Sequence, residues 1–169
     1  EDARHGHQRP KIEEYGDSLF VVLHTLEREG NELNVGEINI FVGRNYILSV
    51  RNRTRKGFSE VRARCEREPE LLQRGSGYVL YALMDAVVDR YFPILDEVEA
   101  RVDALQTALL ADANPQALRE LLKVYNELMI LRRTLAPHRD ILSRLNRGNM
   151  PFIKPANAIY FRDIYDHLL

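Results

Sequence analysis

Among the residues that could do chemistry, the carboxylates carry the most regular spacing. Asp85 and Asp89 stand four residues apart, and Asp96, Glu99 and Asp103 extend one helical face in steps of seven, three and four. Most carboxylates in such a pattern form a solvated face. Held near one another, they also make sites for hard cations, because Mg²⁺ takes oxygen ligands directly or through the waters it retains. Such a site could equally bridge two subunits. The remaining candidates are thinner. His5 and His7 in "HGH" could seat a metal but have no third ligand beside them. His24, inside a strand-like stretch, and His138, on a helical stripe, read as satisfied core or interface residues. Cys65 is the sole cysteine and has no histidine at useful spacing, so it reads as a plain helix residue. The run "RNRTRK" at 51–56 reads as a solvated loop rather than a phosphate-binding patch. No G-x-S-x-G, Walker loop, G-x-G-x-x-G or H-E-x-x-H is present, so an enzyme is not the expected class.

The totals narrow the classes further. The chain has 169 residues, 45% of them hydrophobic and 29% charged, with a formal net charge of −1. That balance gives no electrostatic case for nucleic acid, which calls for a clustered basic face. A lone cysteine forms no internal disulfide, which points to a reducing compartment. No signal-peptide pattern is expected in the opening residues. The longest apolar run, "YVLYALM" at 78–84, falls well short of the roughly 20 residues that cross a bilayer.

The elements that must position these groups change character at residue 57. Before it come strand signals: "DSLFVVLHTLE" (17–27), "ELNVGEINIFVG" (32–43) and "NYILSVRN" (45–52), with "KIEEYG" (11–16) as an edge strand. The connections are short, which favours an antiparallel meander. In the turn "REGN", Gly30 or Asn31 is placed to take a positive φ. The apolar alternation slips phase at Gly36, where a bulge is expected.

After residue 57 the period is helical. "FSEVRARCERE" starts near Ser59 and ends at Pro69. One very long helix is expected over 75–110, kinked but not ended by Pro93, with Met84, Val87, Tyr91, Ile94, Val98, Val102, Leu105 and Leu109 along its apolar stripe. Asn114 and Pro115 mark the start of a second long helix to residue 147. Its stripe reads Leu118, Leu121, Tyr125, Leu128, Leu131, Leu135, His138, Leu142 and Leu145, and Pro137 should bend it in turn. The short break makes the pair an antiparallel hairpin packed through these two stripes. A third helix opens at "YFRDIYDHLL" (160–169), with Phe161, Ile164, Tyr165 and Leu168 on one stripe and Asp163 away from it. No helix-stop residue follows, as expected of a chain cut within a helix.

Several of these segments together resemble the CorA family of divalent-cation transporters. "EDARHGHQRPKIEEYGDSLFVVL" is similar to that family's HxQRPK segment, "YVLYALMDAVVDRYFPILDEVEARVDAL" and "LRRTLAPHRDILSRLNR" to its two long helices, and "YFRDIYDHLL" to the start of its stalk helix. The likeness runs from Glu1 to Leu169 in the family's order.

The resemblance implies an α+β fold, an antiparallel-rich sheet with flanking helices in αβα layers, followed by the helical hairpin and the start of the stalk. It divides the chain into the C-terminal part of an α/β cytoplasmic domain (1–74), the hairpin (75–147), and a loop with the stalk start (148–169). It further implies a homopentameric channel in the inner membrane, anchored by C-terminal transmembrane helices beyond this sequence, with this part on the cytoplasmic side. "GNM" at 148–150 is not the family's Gly-Met-Asn pore motif, because the order differs and it precedes the stalk. The transported and sensed ion would be Mg²⁺, with Co²⁺, Ni²⁺ or Zn²⁺ as further cargo. Carried over by position, the intersubunit ligands would be Asp2 and Asp163, with Glu1 and Asp85 secondary. Two other readings are a zinc-transporting branch of the same superfamily and a soluble helical adaptor with no transport role.

Overall fold

The computed structural model describes residues 8–111, 114–148 and 150–169. Strands β1 (Lys11–Tyr15), β2 (Ser18–Glu29), β3 (Glu32–Val42) and β4 (Ile47–Asn52) form an antiparallel meander in the order β1-β2-β3-β4. Two-residue turns join the first three strands, and each begins with a glycine at positive φ, Gly16 at 54° and Gly30 at 57°. A side chain is strained in that region, so the hairpins form where glycine permits them. Leu19, Val21, Leu23, Ile38, Ile40 and Val42 alternate along β2 and β3, so period-two spacing puts them on one face, where all six are buried in the core.

The bulge expected at Gly36 is absent. β2 and β3 pair one-to-one along their whole length, with Thr25 opposite Gly36. The glycine serves close approach instead: a Cβ there would lie 2.3 Å from the Thr54 hydroxyl and 2.7 Å from the Arg53 carbonyl. Only hydrogen leaves room for the segment after β4 to cross so near.

Helices α1 (Ser59–Arg67) and α2 (Pro69–Leu72) lead into α3 (Ser76–Asp89), α4 (Phe92–Ala111), α5 (Pro115–Asn146) and α6 (Pro155–His167). The single helix expected over 75–110 is therefore two. Pro93 does end the first one. Without an N–H, it cannot bond the Asp89 carbonyl, and its ring crowds that position. It sits instead in the first turn of α4, where a missing N–H costs nothing. The two residues at the break are anchored on separate partners. Arg90 donates to the Gly57 carbonyl and to Glu60 at 2.6 Å, and lies 4.3 Å from the centre of the Phe58 ring. The Tyr91 hydroxyl donates to the His24 carbonyl.

Pro137, by contrast, lies inside the unbroken 32-residue α5, which the Asn114 side chain caps by accepting from the Ala117 N–H at 2.9 Å. His138 is buried beside it. Its Nδ1–H donates to the Thr134 carbonyl at 2.6 Å and its Nε2 accepts from the His24 N–H at 3.1 Å. Both histidines expected to be satisfied are so, since His24 Nε2 donates to the Gln8 carbonyl at 2.7 Å.

The hairpin is antiparallel, and the second half of the stripe expected on α5 packs, with Leu131, His138, Leu142 and Leu145 buried. Its first half does not: Leu118, Leu121, Tyr125 and Leu128 are exposed. Ala117, Val124, Glu127 and Thr134 are buried in their place. The reason is a carboxylate. Glu127 accepts from Arg101 on α4 at 2.8 and 2.9 Å and from Arg28 on β2 at 2.9 Å. Arg28 also reaches Glu97, and Arg101 reaches Glu120 at 2.6 Å. Five charged residues from three elements thus join the hairpin to the sheet, and apolar periodicity does not report them.

Candidate metal-ion face

α6 returns along α5 and crosses α3. Phe161 and Ile164 are buried in that crossing, because their spacing of three puts them on one face of the helix. Asp163, between them in sequence, faces outward and is exposed. Tyr81 on α3 stacks on Tyr160 of α6 with ring centres 4.9 Å apart and meets Phe161 edge-on. An aromatic seam therefore fixes the two helices side by side, and with them the carboxylates that flank it.

Asp85 lies one turn beyond Tyr81 on α3 and is half-buried. Burial raises its carboxyl above the ordinary range, and the neighbouring Asp89 raises it further; Arg64, His167 and a hydrogen bond from Tyr81 act in the opposite sense. The Tyr81 hydroxyl is pushed up to about 12, first by burial and then by the negative fields of Asp85 and, more weakly, Asp163. One phenol thus lies within reach of acids on both helices. Neither Asp85 nor Asp163 is in an ion pair among the described residues. The end of α6 also covers the break between α3 and α4, where His167 meets the Phe92 ring edge-on at 6.4 Å.

Of the four acids expected as ligands, Asp85 on α3 and Asp163 on α6 both act on Tyr81 at the seam between those helices, while Glu1 and Asp2 lie outside the described residues, as does the "HGH" pair. Asp96, Glu99 and Asp103 are exposed on α4, separated from Asp85 and Asp89 by the break at Arg90. They lie on a different helix from Asp85 and Asp89. Among the described residues, no group of three or more His, Cys, Asp or Glu gathers closely enough to hold a metal ion. Two carboxylates alone do not complete a metal site. A hard cation would need further oxygens, from water or another chain. Sequence reasoning missed Tyr81 as the group linking the two acids; its place four residues before Asp85 was the available signal.

No described helix is long and apolar enough to cross a membrane. The family model for CorA-like Mg²⁺ transporter proteins matches residues 1–169. The putative metal ion transporter YfjQ of Bacillus subtilis is 32% identical over 169 residues, covering all of this chain and 52% of that protein. The cobalt/magnesium transport protein CorA of Thermotoga maritima is 31% identical over 172 residues, covering all of this chain and 49% of that one. The chain spans about half the length of these relatives. The soluble domain of CorA from Methanocaldococcus jannaschii superposes with a TM-score of 0.79 at 20% identity, over 96% of this chain and 66% of that one, which shows a shared fold. By its match along its whole length, this chain belongs to the family of CorA-like Mg²⁺ transporter proteins.

Proposed function

We propose that the chain is the ion-sensing cytoplasmic part of a homopentameric divalent-cation channel in the inner membrane, carrying Mg²⁺ and, as its Thermotoga relative is named for, cobalt. The carrying observation is that Asp85 and Asp163, on neighbouring helices, both act on Tyr81 and neither is in an ion pair among the described residues. In this reading Mg²⁺ joins Asp163 to Asp2 of the neighbouring subunit, with Glu1 and Asp85 holding its coordinated waters. The ion offsets repulsion between carboxylates and favours the closed assembly; when it leaves, the subunits separate. A ligand that binds one state more tightly than the other shifts the balance between them. The half-buried position of Asp85 suits this role, because burial disfavours its bare charge and a cation relieves that cost.

The test uses the full-length protein in membranes, under limited proteolysis across a Mg²⁺ series. The expected result is protection that rises with Mg²⁺ and shifts to higher concentration in Asp163→Asn and in Asp2→Asn. Protection unchanged in both variants overturns the sensor. Parallel series with Co²⁺, Ni²⁺ and Zn²⁺ separate a magnesium sensor from a zinc-handling one.

A further inference from the structure

A further groove has neither Asp85 nor Asp163 among its lining residues. It holds about 720 Å³ and lies between the middle of β2 and β3 and the middle of α5, with the end of β4 beside it. Four arginines line it: Arg9 before β1, Arg53 after β4, and Arg132 and Arg133 on α5. None of the four guanidiniums takes part in a hydrogen bond or ion pair among the described residues. Exposed arginines such as Arg67, Arg119 and Arg139 are likewise without a hydrogen-bond or ion-pair partner among the described residues, but these four share one groove. Arg28, Arg55, Arg62, Arg90 and Arg101 each have a carboxylate partner within 3.1 Å.

Two groups on the floor of the groove qualify the charge. Glu37 is 4% exposed, and its oxygens accept from the Gln8 N–H at 2.9 Å and from the Asn39 amide at 2.8 Å. It is held by the fold and turned to its own partners. His24 donates its Nε2–H to the Gln8 carbonyl and so adds no free donor there. The groove therefore presents four guanidinium forks against one carboxylate already engaged, in a chain whose net charge is −1.

The backbone builds this arrangement. Arg53 has φ of 56°, a left-handed conformation that a non-glycine residue rarely adopts. It turns the chain back over Gly36, whose missing Cβ admits the Arg53 carbonyl. Strain at a residue that also lines a groove is where a binding role is found more often than elsewhere. Of the basic residues in the run at 51–56, Arg53 alone lines the groove, beside Asn52. Arg51 donates to the Arg55 carbonyl, Arg55 pairs with Glu29 at 2.7 Å, and the Lys56 N–H bonds Glu27.

We propose that this groove is a binding site for a small polyphosphate anion. Guanidinium forks match phosphate oxygens two at a time, and four of them call for several phosphoryl groups rather than one. The volume is in the range of small-molecule sites and far exceeds a single phosphate. Val35, Met129 and Pro137 supply an apolar wall against which a base could lie. The shared chemistry is the polyphosphate, free or carried by a nucleoside.

The experiment is calorimetric titration of the 169-residue chain with inorganic triphosphate and with ATP, both without divalent metal. Expected is saturable one-to-one binding that weakens with added salt and falls at least tenfold in Arg132→Ala/Arg133→Ala. The control is Arg119→Ala/Arg139→Ala, which removes two exposed arginines outside the groove. It should bind as the parent does, and circular dichroism should show both variants folded. ATP binding more tightly than triphosphate assigns the nucleoside to the apolar wall; equal affinity assigns free polyphosphate. Both results support the site. No saturation by either anion at millimolar concentration overturns it, as does an equal loss in the control variant. Citrate binding more tightly than triphosphate overturns the phosphate assignment.

Discussion

Glu127 and Asp163 are both carboxylates on helices, and the fold treats them oppositely. Glu127 is 7% exposed and bonded by two arginines. Burial alone would raise its pKa; the hydrogen bonds from Arg28 and Arg101 outweigh that and hold it below the ordinary range. Asp163 is exposed and in no ion pair among the described residues, and Asp85, across the seam on α3, is pushed the other way. One charge is completed inside the chain, and the other looks outward for its complement. A completed charge stabilises the fold that made it. An incomplete one costs a little stability and leaves a place for something to bind.

The sharpest way to break this contrast is Glu127→Ala. It leaves Arg28 and Arg101 without their shared acceptor, and the expected loss is about 3 kcal/mol in urea unfolding, as when one partner of a buried ion pair is removed. A loss under about 0.5 kcal/mol would mean that the cluster is decoration, and the contrast would fail.

His138 sharpens it with a buried group denied its charge altogether. Burial lowers its pKa to about 4, from an ordinary value near 6.5. The unfolded chain therefore binds a proton that the folded one refuses between those values, and stability falls as pH drops from about 6.5 to about 4. The slope should reach at most about 1.4 kcal/mol per pH unit. Glu127, whose pKa is lowered, loses its contribution only further down, below about pH 4.3. Replacing His138 by Gln should flatten the upper window and leave the lower. If the upper window persists in that variant, another group is responsible.

A smaller effect is expected from Tyr91→Phe, which leaves the His24 carbonyl without its donor at the free edge of β2. The cost should be about 1.5 kcal/mol by thermal or urea unfolding. No change would mean that the break between α3 and α4 is held by Pro93 and Arg90 alone.

The smallest effect has the opposite sign. Asp85→Asn removes a carboxylate whose ionised form the folded chain disfavours, so the metal-free chain should gain about 0.5 kcal/mol at pH 7. With a raised pKa, the parent chain should make up this difference as pH falls and Asp85 takes its proton. A destabilised variant would show that Asp85 is paid for within the chain, as Glu127 is.

Much of the fold was legible in local signals. The strands at 11–16, 17–27, 32–43 and 45–52 appear within a few residues of their expected bounds, because alternation and glycine turns act between near neighbours. The Asn114 cap and the third-helix stripe of Phe161 and Ile164 follow for the same reason. Of the candidate site, the outward direction of Asp163 was legible as an off-stripe position, and its approach to Tyr81 and Asp85 across the α3–α6 seam was not.

By itself, the sequence determined the order of elements, the faces of β2, β3 and α6, and the CorA-like family, since all of these rest on spacing and residue type along the chain. Tertiary structure alone decided the rest. Pro93 and Pro137 are the same residue in similar apolar helices, yet one ends its helix beside an anchored Arg90 and Tyr91 while the other stays inside α5. Glu127 is buried and Leu121 exposed because Arg28, 99 residues away in sequence, needs a carboxylate there. Arg53 and Arg132 share a groove that no local pattern joins. Such outcomes depend on which distant charges and carbonyls arrive together, and chain spacing carries no record of that.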